Sequence, residues 1–217
     1  MRTQAVHCPI PPRVVVFAKA PLPGQAKTRL IPAFGAEEAA RLAGRLLDHA
    51  LAQAMQARVG PVELCMSPGP DDAAWQGVAL PEGVQCLDQG EGDLGARMAR
   101  AVHRVTADPP GQPVLLMGTD CPELTSLIIR EAAVQLAQHD AVLIPVADGG
   151  YVLVGLRAHC PEIFRDMAWS TPVVAAETLR RLAAGGLRVW LGPTLHDIDE
   201  PADRVHLPDA WHSSRQK

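Results

Sequence analysis

The sequence predicts an α/β fold in which helices cover both faces of a mostly parallel sheet. Short runs of β-branched and aliphatic residues alternate with longer stretches of helical periodicity. The runs RVVVFA (13–18) and PVLLMG (113–118) lack polar alternation, which is typical of strands buried on both faces. We expect one domain over residues 1–217, with a core from about 13 to 205.

Each remaining element has its own sequence pattern. Apolar runs predict further strands at 62–66, 84–88, 140–146, 151–156 and 187–192. Helical periodicity predicts helices at 36–57, 94–107, 123–138 and 171–186, and shorter ones at 71–76 and 200–207. In the helix at 123–138, Thr125 or Ser126 is expected near the start. The helix at 171–186 is expected to begin with Thr171 as N-cap and Pro172 at its first position, and to end at Gly185 and Gly186.

Composition excludes several classes of protein. The net charge is −4 and both signs are spread along the chain, which argues against a nucleic-acid-binding protein. No apolar stretch reaches the roughly 18 residues of a membrane span. Residues 1–13 contain no apolar region, so we expect no secretory signal. The five cysteines are widely spaced and form no C-x-x-C, which predicts reduced thiols in a cytoplasmic protein.

A basic loop, FAKAPLPGQAKTRLIP (17–32), follows the first strand. In open α/β sheets, ligands bind beyond the carboxyl ends of the strands. Lys19, Lys27 and Arg29 can surround a polyanion there, and Gly24 allows close backbone approach. The alternative is a solvated surface loop. A Walker A loop is disfavoured because Ala26 replaces its second glycine.

Acidic residues follow two other strands. Asp120 comes after the strand at 113–118, where a carboxylate can hold Mg²⁺ together with substrate phosphates. Asp120 can equally be the N-cap of the next helix. Asp197 and Asp199 lie on one side of an extended segment and offer a second metal ligand, or an acidic flank that favours the dipole of the helix at 200–207.

Glycine-rich segments end two more strands. GEGDLGARM (90–98) offers Gly92 and Arg97 to a base or phosphate at the start of a helix. ADGGY (147–151) places Asp148, Gly149 and Gly150 between two strands. Asp-Gly there predicts first a hairpin turn and second a contact with the acceptor substrate.

The motifs VVVFAKAPLPGQAKTRLIP, QGEGDLGARM, LLMGTDCPEL, VADGGYVLVGL and DIDEPAD resemble the DUF2064 family in order, over about residues 13 to 205. Members of that family are named rSAM/selenodomain-associated transferase 1 and are grouped with GT-A-fold nucleotide-diphospho-sugar transferases. More distantly, AKTRLIP and GTDCP are similar to 2-phospholactate and molybdenum cofactor guanylyltransferases.

The resemblance implies a GT-A, Rossmann-like three-layer sandwich whose N-terminal half binds a nucleotide. It implies that Asp120 holds Mg²⁺ or Mn²⁺ and that Asp199 or Asp197 is the second ligand. Glycosyltransferases of this fold typically have Asp-x-Asp after the central strand, whereas this chain has Thr-Asp-Cys. That departure favours a nucleotidyltransferase.

We therefore predict a metal-dependent nucleotidyltransferase that acts on a nucleoside triphosphate and a phosphorylated small-molecule acceptor. Lys27, Arg29 and Asp120 are expected to act in catalysis and Lys19 to support nucleotide binding. No G-x-S-x-G or H-E-x-x-H occurs, so a covalent hydrolase is disfavoured. The alternatives are a glycosyltransferase with a nucleotide-sugar donor and a catalytically inactive nucleotide-binding subunit.

Overall fold

A computed structural model of the protein describes residues 10–212. The strands are β1 (Arg13–Lys19), β2 (Val62–Ser67), β3 (Gln85–Asp88), β4 (Val114–Met117), β5 (Ala141–Pro145), β6 (Tyr151–Leu156) and β7 (Val189–Leu191). The α-helices are α1 (Ile31–Phe34), α2 (Ala36–Ala57), α3 (Leu94–Ala107), α4 (Ser126–Leu136), α5 (Val174–Ala184) and α6 (Asp209–His212). Short 3-10 helices span Thr28–Leu30, Ala73–Trp75, Pro161–Ile163 and Pro201–His206.

The seven strands form one sheet in the order β3-β2-β1-β4-β6-β5-β7. β1 pairs in parallel with β2 and β4, β2 with β3, and β5 with β7. β6 is antiparallel to both of its neighbours, β4 and β5. The sheet is therefore mostly parallel, as predicted, with one reversed strand that comes from the β5–β6 hairpin.

Helices cover both faces of the sheet. Val14 and Val16 of β1 belong to an apolar cluster that includes residues of α2 and α4. Val15 points the other way, into a cluster with residues of α3 and α5. Successive strand residues face opposite sides, so a run of valines supplies both layers. The arrangement confirms the three-layer α/β sandwich and explains why β1 shows no polar alternation.

One predicted helix start is confirmed and another is wrong. α4 begins at Ser126, and the hydroxyl of Thr125 accepts a hydrogen bond from the amide of Ile128, in agreement with a start near Thr125 or Ser126. α5 begins after Val173, and no side chain caps it. Thr171 instead donates its hydroxyl proton to the carbonyl of Ala168. Pro172, in the segment before α5, packs closely against Gly149 of the hairpin, and Ala175 N in the first turn of α5 donates to Gly149 O at 2.9 Å.

Two of the remaining predictions concern the N-terminus and membrane spans. The expectation of no secretory signal rests mainly on residues 1–9, and these, with Cys8, lie outside the described range. Within residues 10–212, no helix combines the length and hydropathy needed to cross a bilayer. The assignment of residues 1–217 to one domain stays a prediction.

Candidate active site

A cleft of about 630 Å³ lies at the sheet edge where β1, β4 and β5 end. Most of the predicted site residues line this cleft: Lys19, Lys27, Arg29, Asp120, Asp148, Gly150, Asp197 and Asp199. Gly24, Gly92, Arg97 and Gly149 are not among its lining residues. The loops that follow separate strands thus bring basic and acidic groups to one place, as expected at the carboxyl edge of such a sheet.

Lys27, in the loop after β1, contacts residues of the loops after β4 and β7. Its Nζ atom lies 2.8 Å from Asp120 Oδ1 and 2.9 Å from Asp199 Oδ1, and it donates to the carbonyl oxygen of Ile198 at 2.6 Å. A lysine ammonium has three donors, and these three acceptors match them. The side chain is only 7% exposed. Lys27 is therefore a buried cation held between two carboxylates that are far apart in sequence.

The two carboxylates also set the charge of Lys27. Burial by itself lowers the pKa of Lys27, but the charges and hydrogen bonds of Asp120 and Asp199 outweigh it, so the pKa is raised. The ammonium is consequently protonated at neutral pH. The backbone of Lys27 has φ 49° and ψ 46°, a left-handed conformation that is uncommon outside glycine. The loop thus holds this side chain inward at a conformational cost.

Arg29 and Lys19 are the accessible cations of the basic loop. Arg29 contacts Asp199 Oδ2 at 3.4 Å, and its side chain is 57% exposed. Lys19, at the end of β1, is exposed, and both residues line the cleft. Unlike Lys27, these two side chains are free to reach an anionic ligand that enters from solvent.

Asp197 carries a proton more readily than an ordinary aspartate. Burial, followed by the negative charges of Asp148 and Asp199, raises its pKa from 3.8 to about 6. Lys27 and Arg29 form their ion pairs with Asp120 and Asp199 rather than with Asp197. The part of the cleft around Asp197 therefore has more carboxylates than nearby cations to neutralise them.

The donor set fits a hard divalent cation. Asp120, Asp148, Asp197 and Asp199 all line the cleft, and carboxylate oxygens are the ligands that Mg²⁺ and Mn²⁺ prefer. The position of Lys27 Nζ shows that a cation between Asp120 and Asp199 can contact both. Asp120 and Asp199 are thus the residues best placed to hold the predicted metal, with Asp197 beside them.

The alternative interpretation of Asp120 as a helix cap is wrong. Thr125 caps α4, and Asp120 lies five residues upstream with its carboxylate on Lys27. The Asp120 carbonyl accepts a hydrogen bond from Ile198 N at 2.8 Å, which fixes the loop after β4 against the loop after β7. The side chain is therefore free of a capping role.

The acidic flank of the last 3-10 helix is supplied by other residues. Glu200 and Asp203 form a reciprocal capping box, and the Asp203 carboxylate also accepts from Asp199 N at 2.9 Å. Because that carboxylate satisfies the backbone there, the Asp199 side chain turns toward Lys27 and Arg29. The alternative in which Asp199 serves mainly the helix dipole is not supported.

Arg97 stabilises the glycine-rich loop. Its Nε donates to the carbonyl of Gly92 at 2.8 Å, and Nη1 reaches Ser67 Oγ at 3.2 Å. Asp93 caps α3 by accepting from Ala96 N at 2.8 Å. Gly92 itself has φ 101°, which only glycine adopts readily. A role for Gly92 and Arg97 in nucleotide binding stays a prediction.

The Asp148 turn is a hairpin, as the Asp-Gly signal predicts. Asp148 Oδ1 accepts from Gly150 N at 2.8 Å and closes the turn between β5 and β6. Gly149 has φ 91°, and a Cβ there would overlap the carbonyl of Pro172. Asp148 and Gly150 line the cleft, so the turn also forms part of its wall.

Comparison with known proteins identifies the family. Residues 50–171 match the family described as "Uncharacterized protein conserved in bacteria (DUF2064)". The chain belongs to this family. No match is found among curated proteins.

Solved structures confirm the GT-A type of fold for this DUF2064 chain. A protein of Desulfovibrio desulfuricans G20, provisionally assigned as a nucleotide-diphospho-sugar transferase, is 28% identical with a TM-score of 0.83, covering 94% of this chain and 88% of its own. Rv0371c of Mycobacterium tuberculosis H37Rv, in complex with manganese, is 20% identical with a TM-score of 0.52, covering 91% and 98%. CMP:2-keto-3-deoxy-manno-octonic acid synthetase, complexed with CTP, is 16% identical with a TM-score of 0.55, covering 94% and 100%. The last two show a shared fold alone.

The cleft of the DUF2064 chain has aromatic and amide residues that the sequence patterns did not single out. Tyr151 and Trp169 line its wall with ring centroids 6.4 Å apart, and Gln89, between β3 and α3, lines it as well. Gln89 Nε2 donates to the carbonyls of Ala18 and Cys65. Trp169 lies in a turn without periodicity, so only its position after β6 and before α5 could have marked it.

Proposed function

We propose that this DUF2064 protein is a metal-dependent nucleotidyltransferase. The acceptor's phosphate oxygen attacks the α-phosphorus of a nucleoside triphosphate, the bond to the bridging oxygen breaks, and pyrophosphate leaves. The single observation that carries the proposal is the cluster of Lys27, Asp120 and Asp199 at the carboxyl edge of the sheet, in a cleft that also presents the exposed cations Lys19 and Arg29.

In this proposal the basic residues bind the donor phosphates and the acidic residues bind the metal. Arg29 and Lys19 bind the phosphates of the donor from the open side of the cleft, where the guanidinium of Arg29 can form two parallel hydrogen bonds with phosphate oxygens. Asp120 and Asp199 hold Mg²⁺ or Mn²⁺, which when bound supplies positive charge to the phosphates. This is catalysis by positioning and charge stabilisation and requires no protein nucleophile.

Lys27 has two states in this proposal. In the structure its ammonium lies 2.8 Å from Asp120 and 2.9 Å from Asp199. If these carboxylates held a divalent cation, the Lys27 ammonium would be available to the negatively charged phosphates. The wall formed by Asp148 and Gly150, with Tyr151 and Trp169, is left for the acceptor.

A glycosyltransferase is the second candidate. The similar protein from Desulfovibrio desulfuricans G20 is provisionally assigned as a nucleotide-diphospho-sugar transferase. Asp197, with its raised pKa, lines the cleft near Asp148, and one of these carboxylates can accept the proton of an acceptor hydroxyl. In this case a nucleoside diphosphate leaves and the sugar moves to the hydroxyl oxygen.

A binding screen followed by product analysis separates the candidates. Nucleotides and nucleotide sugars are first tested with Mg²⁺ or Mn²⁺ for their effect on the melting temperature, since a ligand that binds only the folded state stabilises it. The best donor is then incubated with phosphorylated and hydroxylated acceptors. We expect pyrophosphate from a triphosphate. Release of a nucleoside diphosphate from a sugar donor supports the second candidate, and binding without either product indicates an inactive nucleotide-binding subunit.

Asp120→Asn tests the role of the metal ligand. The substitution keeps the shape of the side chain and removes its charge, so we expect near-parental melting and a loss of turnover of about 100-fold or more. Asp71→Asn is the matched control, because Asp71 is exposed and does not line the cleft. Full turnover by Asp120→Asn, or by the parent in excess chelator, would contradict the mechanism.

A further inference from the structure

A second group of ligand-type side chains lies outside the cleft lining. Glu123, His196 and His206 each offer one ligand atom, and these atoms all lie within 4.8 Å of one another. Nδ1 of His196 is 3.2 Å from Glu123 Oε2, and Nδ1 of His206 is 3.8 Å from Glu123 Oε1. Within residues 10–212, this is the one such group of three. None of the three residues lines the cleft.

The three side chains come from three separate segments. Glu123 follows β4, His196 follows β7, and His206 ends the 3-10 helix Pro201–His206. The backbone amide of His196 donates to Glu123 Oε2 at 2.9 Å, which orients the carboxylate toward both imidazoles. The rings stack with centroids 3.8 Å apart, and both side chains are partly exposed, at 41% and 31%. An ion can therefore reach the three side chains from solvent.

The chemistry of the group differs from that of the cleft. Two imidazoles and one carboxylate are a set that suits Zn²⁺ and similar transition ions, with a water in the fourth position. Mg²⁺ prefers oxygen ligands only, and the four aspartates of the cleft match that preference. The two donor sets are therefore selective for different ions.

We propose that Glu123, His196 and His206 form a transition-metal site of the zinc class, separate from the carboxylate site of the cleft. Its place in the fold gives it a structural effect. Glu123 lies three residues after Asp120, and His196 directly precedes Asp197. An ion bound there joins the loop after β4 to the loop after β7, in addition to the Ile198–Asp120 hydrogen bond. The proposal does not depend on the function of the cleft.

Metal titration of the untagged, nucleotide-free chain tests the proposal. Calorimetry with Zn²⁺ is expected to give one equivalent bound, and Co²⁺ to give the visible absorption of a four-coordinate ion. His196→Gln and His206→Gln should each weaken Zn²⁺ binding by about 100-fold or more. Loss of a group that only orients a ligand already costs about 10- to 100-fold. Glu123→Gln keeps the acceptor for His196 N and should weaken binding as well.

Two controls make the result specific. His103→Gln removes a histidine from another close pair, His103 and His159, whose centroids are 4.8 Å apart, and it should leave Zn²⁺ binding unchanged. Asp120→Asn should also leave it unchanged, because Asp120 belongs to the cleft. Melting without metal checks that each variant is folded. The proposal is overturned if the parent binds no Zn²⁺, or if the His196→Gln/His206→Gln variant, still folded, binds it as tightly as the parent.

Discussion

Asp197 makes the free protein sensitive to pH. Its pKa is raised by burial and by Asp148 and Asp199 to about 6, from 3.8. The folded state therefore binds a proton more readily than the unfolded chain, and stability falls as pH rises from about 4 through about 6. Asp197→Asn removes the free-energy cost of ionising this partly buried carboxyl. At about pH 8 the variant should therefore be about 1 kcal/mol more stable than the parent, after allowing for solvent screening.

Urea unfolding at the two ends of this range measures the effect. At about pH 3 the parent and Asp197→Asn should be nearly equally stable, because below the unfolded pKa of 3.8 the carboxyl is mostly protonated in both states of the parent. The advantage of the variant should also shrink when Mg²⁺ and a bound nucleotide neutralise the site. A constant difference across the whole range would show that the asparagine acts through packing and that the charge is not its cause.

If Asp120 and Asp199 hold the metal as proposed, Lys27 competes with it for both carboxylates. Its ammonium occupies both carboxylates, so Lys27→Met should let the nucleotide-free protein bind Mn²⁺ about tenfold more tightly, equivalent to about 1.4 kcal/mol. Electron paramagnetic resonance of free Mn²⁺ measures the affinity directly. Lys19→Met is the matched control, since Lys19 lines the same cleft and is exposed. Equal Mn²⁺ affinity in parent and Lys27→Met would place the ion elsewhere.

The β5–β6 hairpin depends on Gly149 for two reasons. Its φ of 91° disfavours any side chain, and a Cβ would overlap the carbonyl of Pro172. Gly111 has φ 79° with no atom within 4 Å of a Cβ, so it shares the first reason only. Gly111→Ala should cost about 1–2 kcal/mol of unfolding free energy. Gly149→Ala should cost about 3 kcal/mol or more because the backbone must also move.

Thermal and urea unfolding of the two alanine variants compare these costs. If both variants lose the same stability, the close approach of Pro172 contributes nothing and backbone conformation explains the whole effect. Product analysis adds a second readout, because displacement of Pro172 also shifts Thr171, which lines the cleft. Gly149→Ala should therefore alter acceptor use, whereas Gly111→Ala should not.

Local patterns predicted some elements completely and misplaced others. α2 and α3 have the predicted bounds, because each has a clear amphipathic period and, for α3, Asp93 caps the first turn. Thr171 and Pro172 form an equally good local start signal, yet α5 begins at Val174. That signal competes with packing on Gly149, a contact between residues that no local window contains. Tertiary packing decides such cases.

The positions of the acidic site residues could be predicted because these residues directly follow strands. Asp120, Asp197 and Asp199 follow strands that share one edge, so their meeting follows from the parallel sheet. The pairing of Lys27 with Asp120 and Asp199 was not predictable, since the loop could equally have pointed the ammonium at solvent. Tyr151 was missed because an aromatic residue in an apolar strand is ordinarily a core residue, and Trp169 because it lies in a turn without a recognisable pattern.

A buried ion pair joins α3 to β2 on the face of the sheet that α3 and α5 cover. Glu63 of β2 is 0% exposed, and Arg104 of α3 binds both of its carboxylate oxygens, with Arg13 at 3.6 Å. Arg104→Met removes the main partner and leaves the carboxylate poorly compensated. We expect a loss of about 3 kcal/mol or more in the free energy of unfolding.

Denaturant unfolding of single and double variants isolates this ion pair. Glu63→Gln in the Arg104→Met background should recover much of the lost stability, because the buried charge is then gone. Arg180→Met is the control for an exposed pair, since Arg180 binds Glu177 on the surface of α5 and should change stability far less than Arg104→Met does. If Glu63→Gln adds a further loss, the carboxylate is sufficiently solvated without Arg104.

The bond between Lys27 and Asp199 spans 172 positions of the chain. Contacts of such sequence separation close long loops and form slowly compared with local helices and hairpins. α2 and the β5–β6 hairpin can form from neighbouring residues. The contacts among Lys27, Asp120 and Asp199 can form only after the segment that follows β7 has reached the loop that follows β4. A refolding chain therefore regains its helical content before it regains affinity for ligands, and binding competence is acquired at the end of folding.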